Sequence, residues 1–202
     1  KIPNKAFDLK KNNDASVTSE TQKLKRQIKE LLVSRNIMEI ISWSFSNKKW
    51  EENITGDTDN IEIQNPISEE LSCLRQTLLG GLLNIVNKNN NKDRQNISIF
   101  EIGPVFTGIN PGEQREHLTI IRSGKAIEKN WTSGNRNYDV FDIKSDLVSL
   151  LRLLKIPLDK IKIKSENSNF FHPGKSCSVF FSELKIASFG EVHPNVSKSF
   201  KI

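Results

Sequence analysis

The chain has 202 residues, 36% of them hydrophobic and 27% charged, and a formal net charge of +6. That length accommodates one generous domain or two small ones and can bury a sizeable core without staples. The composition is that of a soluble globular protein, the basic excess favours an anionic partner such as nucleic acid, and no apolar run approaches the roughly 20 residues that cross a bilayer. The two cysteines, Cys73 and Cys177, lie far apart among apolar neighbours and in no metal-ligand spacing. Buried thiols in a reducing cytoplasm are expected of them rather than a disulfide. The start lacks both an initiator Met and the apolar centre of a signal peptide, as expected of a fragment of a longer protein.

Residues 1–17 read as an extended lead-in. Ser19 and Gln22 then form a capping box, and Leu24, Ile28, Leu31 and Leu32 make one apolar face of a helix. Lys23, Lys25, Arg26 and Lys29 occupy the opposite face, and Asn36 is a suitable stop. Ile37 to Phe45, rich in β-branched and aromatic residues, predicts a strand. Residues 46–60 are polar and read as loop, with a short turn at Trp50-Glu51-Glu52-Asn53. Ile61 and Ile63 alternate with polar residues, which predicts a second short strand.

The loop Asn65-Pro66-Ile67-Ser68 leads to a helix with Leu78, Leu79, Leu82, Leu83 and Val86 on one side. Gly80 and Gly81 mark its first turns or a close packing contact. Ser98 to Phe106 predicts a strand, and a Gly/Asn/Pro loop joins it to another at Leu118 to Ile121. Residues 123–138 read as an exposed loop. Asp139 or Asp142 opens a helix whose Ile143, Leu147, Leu150, Leu151 and Leu154 form the cleanest apolar stripe in the chain, ended by Pro157. Three short strands follow, KIKIK, CSVFF and KIASFGEV, the last two joined at Ser182-Glu183. His193-Pro194 begins a final short helix. The pattern predicts an α+β fold with a largely antiparallel sheet flanked by helices.

His172, Cys177 and His193 are too widely spaced for a tetrahedral zinc site, and both histidines precede Pro. They read as turn histidines that bond the backbone. No Ser–His or Cys–His pairing stands out, and no Gly-rich phosphate loop is present. Glu101 and Glu191 sit in apolar strand contexts and are expected to be buried and paired. Arg75 is expected to form a structural salt bridge with Glu69, Glu70 or Glu101. Lys88, Lys92 and Arg94 are candidate contacts to nucleic-acid phosphates, with a solvated loop as the competing reading. Trp43, Trp50 and Trp131 are too scattered to form a stacking platform.

Six segments, taken in order, resemble the β subunit of bacterial phenylalanyl-tRNA synthetase: LKRQIKELLVSRNIMEIISWSF, NPISEELSCLRQTLLGGLL, FEIGPVF, YDVFDIKSDLVSLL, HPGKSCSVFF and IASFGEVHPNV. Together they span nearly the whole chain. The resemblance implies a class II synthetase-like core over residues 18–202, truncated at its C-terminal end and preceded by a lead-in from another domain. It also implies a cytoplasmic heterotetramer with a catalytic α subunit, which uses ATP and Mg²⁺ to join phenylalanine to its tRNA. This copy of the fold would be noncatalytic. A class II site holds the ATP phosphates with an Arg on its second motif and another on its third, because developing phosphoryl charge needs fixed cations. Here FEIGPVF offers Glu101 but no Arg, Pro104 stands where a polar group would be wanted, and the chain ends before a third motif. No catalytic, cofactor-binding or metal residue is therefore expected in the fragment. Leu24, Ile28, Leu31 and Leu32 become candidates for a subunit-interface helix, and Lys88, Lys92 and Arg94 for tRNA contact. A free-standing RNA-binding module on the same fold is the alternative, and an enzyme with an unrecognised small-molecule site comes third.

Overall fold

A computed structural model describes residues 18–56, 58, 61–127, 131, 134–165 and 168–202. The predicted lead-in at 1–17 lies outside them. Helix α1 (Glu20–Ser34) starts at the expected capping box: Ser19 Oγ accepts from the Gln22 N–H and Gln22 Oε1 accepts from the Ser19 N–H. The chain leaves the helix through Asn36, which takes the left-handed φ of 58° that Asn tolerates.

The strand expected over 37–45 is broken in two. β1 (Met38–Glu39) and β2 (Phe45–Ser46) are separate, and between them Ser42 turns inward, donating from both its N–H and its hydroxyl to Glu101. The polar stretch after β2 is a helix and not a loop. α2 (Lys48–Thr55) is capped by Asn47, whose Oδ1 accepts from the Lys49 N–H, and its inner face holds Ile54 and Glu51. Around Ile61 and Ile63 no full strand forms; Glu62 makes a single bridge to Cys73. A 3-10 turn over Glu69–Leu71 leads to β3 (Cys73–Leu74), which pairs antiparallel with β2.

Helix α3 (Leu79–Asn90) places both predicted glycines in its first turn. A Cβ on Gly80 would meet Ile54 of α2 in ordinary contact at 3.6 Å, whereas one on Gly81 would come within 3.0 Å of Ser42 Oγ, so the tight approach is at Gly81. β4 (Ile97–Phe106) and β5 (Gln114–Ser123) pair over ten residues each, from Ile97 opposite Ser123 to Phe106 opposite Gln114. With β1 parallel to β4, they form a sheet of order β1-β4-β5. β6 (Lys125–Ile127) and β7 (Arg136–Asn137) form a small ladder where a loop was expected. Asp139 caps α4 (Val140–Leu153) and forms a second capping box with Asp142. β8 (Ile161–Ser165), β9 (Phe171–Phe181) and β10 (Leu184–Val192) make an antiparallel sheet of order β10-β9-β8, with β9 and β10 joined through the expected turn at Ser182 and Glu183. α5 (Pro194–Ser199) closes the fold.

The first sheet is covered on both sides. Leu78, Leu79, Leu82, Leu83 and Val86 of the α3 segment pack with Ile97, Ile99, Val105 and Ile121. Phe100 faces the other way, among Leu32 of α1, Ile37 and Leu150 of α4. Asp146 of α4 is fully buried at this second layer. It accepts from Arg35 Nε at 2.6 Å and from Arg122 Nε at 2.7 Å, and Arg122 also lies over the Tyr138 ring at 5.1 Å. Burial alone would lower the Arg122 pKa, but the bonds and charge of Asp146 outweigh it and hold it above the usual value. One carboxylate thus ties the end of α1, β5 and α4 together.

Removing one member of a buried ion cluster leaves the others uncompensated, at a cost of about 3–5 kcal/mol. Asp146→Ala is expected to lose that much in urea unfolding, and a loss below about 1 kcal/mol would contradict this assignment of the cluster.

Candidate functional site: a buried arginine beneath the central hairpin

Arg75 sits between β3 and α3, four residues before the helix. Its backbone joins two segments, since its N–H donates to Ser44 O and its carbonyl accepts from the Phe106 N–H, each at 2.9 Å. The side chain runs under β4 and is 5% exposed. Nη1 donates to Glu101 Oε1 at 2.6 Å, to Ser42 Oγ at 2.9 Å and to Trp43 O at 3.4 Å, while Nε donates to Pro104 O at 2.8 Å. A Cβ on Gly103 would land on Arg75 Nη2, so β4 needs glycine where the guanidinium crosses it. Of the three acids weighed from sequence, the partner is Glu101; Glu69 and Glu70 are exposed in the 3-10 turn.

A second buried carboxylate lies alongside. Glu51 of α2 is fully buried and accepts from Ser46 Oγ at 2.7 Å and from the Gln76 N–H at 3.0 Å. Burial pushes its carboxyl above the ordinary range, and the Ser46 and Gln76 hydrogen bonds and the Arg75 charge only partly reverse that. Burial likewise pushes the neighbouring Cys73 thiol up to about 11, which makes it a poor nucleophile. Cys73 and Cys177 are both free, the first buried and the second half-buried.

The remaining sequence candidates disperse. His172 Nδ1 accepts from the Gly174 N–H and His193 Nδ1 from the Asn195 N–H, both at 3.1 Å, the local backbone role expected of them. Glu191, expected to be buried, instead faces solvent on β10 and pairs with Lys175 at 2.5 Å. Lys88, Lys92 and Arg94 are exposed at the end of α3 and in the turn before β4, and make no ion pair among the described residues. The apolar stripe of α1 is turned mostly inward: Leu32 is fully buried, Ile28 and Leu31 pack against its cluster, and only Leu24 is left at the surface. Leu32 is therefore unavailable to a partner, because the helix spends that face on the chain's own core. Exposed apolar residues lie instead just beyond α1, at Met38, Ile41 and Trp43. Residues 41–46 alternate apolar and polar side chains as a strand does, but the apolar set faces outward and the serines inward, so periodicity would have assigned the faces the wrong way round.

The assigned side-chain bonds of Arg75 engage Nε and Nη1, and β4 itself carries no cation. Among the described residues no three His, Cys, Asp or Glu side chains come together as metal ligands.

The sequence matches the family described as the phenylalanyl tRNA synthetase beta chain CLM domain over residues 9–202. The phenylalanine–tRNA ligase beta subunit of Ehrlichia canis is 35% identical over 178 residues, covering 87% of this chain and 22% of that protein. That of Rhodospirillum rubrum is 29% identical over 167 residues, covering 83% and 21%. The chain thus spans only about a fifth of the length of these relatives. Among solved structures, a pyrrolysyl tRNA synthetase of Desulfitobacterium hafniense superposes with a TM-score of 0.67 at 15% identity, over 91% of this chain and 62% of that one. At that identity the likeness speaks to fold, which is the α+β, largely antiparallel synthetase core expected from sequence.

Two outcomes follow from the buried site. Gly103→Ala must displace a guanidinium pinned by several bonds, and is expected to cost about 1–3 kcal/mol in denaturant titration. For Glu51 the folded pKa is raised, so the native state binds the extra proton. Its stability contribution is present at acid pH and is lost as pH climbs from the ordinary carboxylate range through the raised value. Glu51→Gln is expected to flatten that part of the Tm–pH profile; an unchanged slope would contradict it.

Proposed function

The chain belongs to the phenylalanyl tRNA synthetase beta chain CLM domain family, and we propose that it is a noncatalytic synthetase-like core that holds a catalytic α subunit in working geometry. The observation that carries the reading is the fate of Arg75. An adenylating site must direct cations at phosphoryl oxygens where charge develops. Here the arginine beneath the central hairpin is buried and spent on Glu101, Ser42 and backbone carbonyls. The same interior gives this region a fixed shape, which is what a scaffold contributes.

The holoenzyme would be a cytoplasmic heterotetramer that uses ATP, Mg²⁺, phenylalanine and tRNA, with the chemistry on the α subunit. No helix among the described residues is long and apolar enough to cross a membrane. The surface best suited to the α subunit is the segment after α1, where Ile41 is 88% and Trp43 74% exposed beside Met38. Exposed aromatic and aliphatic side chains grouped this way mark protein interfaces. β1 is also an edge of its sheet.

The purified chain is expected to show no phenylalanine-dependent exchange of pyrophosphate into ATP. Exchange that tracks with the pure protein would overturn the reading. The full-length protein is expected to copurify with a stoichiometric catalytic subunit, and Ile41→Asp/Trp43→Asp to cut that recovery at least about tenfold with circular dichroism unchanged. Purification alone, with binding of diverse RNAs, would instead favour a free-standing RNA-binding module.

A further inference from the structure

The outer face of the second sheet carries a row of basic side chains. On β8, Ile161 and Ile163 line the apolar groove against Leu147 and Leu151 of α4. Side chains alternate along a strand, so Lys162 and Lys164 stand on the opposite face. The register then sets Lys162, Phe180 and Lys185 in one row across β8, β9 and β10, and Lys164, Ser178 and Ser188 in the next.

Exposed lysines of the described surface include some held closely by a carboxylate and others, such as Lys88, Lys92 and the pair on β8, that are not. Lys23, Lys25, Lys29 and Lys175 each close on a carboxylate at 3.0 Å or less. Lys162 reaches Glu183 only at 3.5 Å, with the two side chains 62% and 88% exposed, an ion pair that water and salt largely screen. Lys164 is directed to a ring and not to an acid: its Nζ lies 5.1 Å from the Phe180 centroid. A cation–π contact orients an ammonium without cancelling its charge. The face therefore presents positive charge beside a half-buried aromatic ring, next to a register shift in the β9–β10 ladder after Lys185.

We propose that this face is a contact surface for RNA, with Lys162 and Lys164 engaging backbone phosphates and the Phe180 ring offering a stacking surface to a base. Charge selects a polyanion, and the ring between the lysines selects one that also carries planar bases. That the RNA is a tRNA rests on the family reading above; that the face binds RNA rests on the charge and register alone. These are different residues from Lys88, Lys92 and Arg94, which lie at the end of α3 and in the turn before β4.

The test uses the full-length protein in its native complex and a fluorescein-labelled phenylalanine-accepting tRNA, titrated by anisotropy at several salt concentrations. Lys162→Gln/Lys164→Gln is expected to weaken binding about tenfold at low salt and to flatten the dependence of log Kd on log salt by about 1.5, the share of two phosphate contacts. Lys162→Arg/Lys164→Arg is expected to keep both. Phe180→Leu, which retains most of the packing, is expected to weaken binding at least about fivefold. Unchanged affinity and slope in the Gln variant would overturn the proposal. So would self-association of that variant with tRNA affinity intact, which would identify the lysines as protection of an exposed edge strand. Loss of the second subunit from the variant complex, read by mass in the same samples, would also overturn it, since the face would then dock protein. Failure of the subunit reading is separately visible, because the unaltered protein would purify alone and could still be titrated.

Discussion

An arginine and a glutamate lie side by side in the interior, and neither could remain there without the other. Taking both charges out of water costs several kcal/mol each, recovered only if geometry is good and the leftover hydrogen-bonding capacity is filled. Arg75 and Glu101 meet that demand by recruiting neighbours, and the recruitment shapes the surrounding chain. Glu101 accepts from the Ser42 N–H and hydroxyl, which takes the place of a continued ladder to β4 beyond Ile40, whose N–H still donates to Phe100 O. Arg75 crosses Gly103, which must have no side chain. Because Ser42 turns inward, Ile41 and Trp43 are delivered to the surface. The exposed apolar segment assigned to a partner is thus a consequence of the buried pair.

A second ion cluster, centred on Asp146, lies toward α4 and α1. Strand β4 carries its side chains alternately to the two layers, Glu101 toward α3 and Arg75, Phe100 toward α1 and α4. A slip of one residue in the β4–β5 ladder would exchange those faces and strand a charge in each. Buried ion pairs are weak sources of net stability, but they penalise wrong registers heavily. Their contribution here is positional, which suits a core whose proposed work is to present a fixed surface.

Legibility from sequence tracked local signals. α1 and α4 announced themselves by capping residues and apolar spacing, and β4, β9 and β10 by runs of β-branched and aromatic residues. α2 was missed because only Trp50 and Ile54 mark its inner face and the third inward residue is Glu51, which reads as solvent-facing. Its carboxylate is held by the Ser46 hydroxyl and by the Gln76 N–H, the second 25 residues away, and neither gives a local sign. The strand over 37–45 was overcalled for the opposite reason: its residues favour a strand, and a tertiary hydrogen bond to Glu101 overrides them. Glu191 carried an apolar context like that of Glu101, yet no arginine approaches it and it turns to Lys175 at the surface. Which acid would hold Arg75 was open in the sequence, since a salt bridge is a long-range fact.

The cations of the chain divide by what answers them. Inside, Arg75, Arg35 and Arg122 are met by carboxylates and carbonyls fixed by the fold, so each guanidinium is committed before any ligand could arrive. Outside, Lys162 and Lys164 are met by a distant acid and by a ring, contacts that leave most of their charge open to the solvent. A catalytic site for phosphoryl chemistry needs the reverse: committed geometry with uncommitted charge, held in a dry cleft. Moving charge from a cleft to a sheet face exchanges tight, oriented stabilisation of a transition state for salt-sensitive attraction to a long anion. That exchange is chemically coherent with the noncatalytic role proposed for this core, because what such a copy would still supply is shape on one side and charge on another.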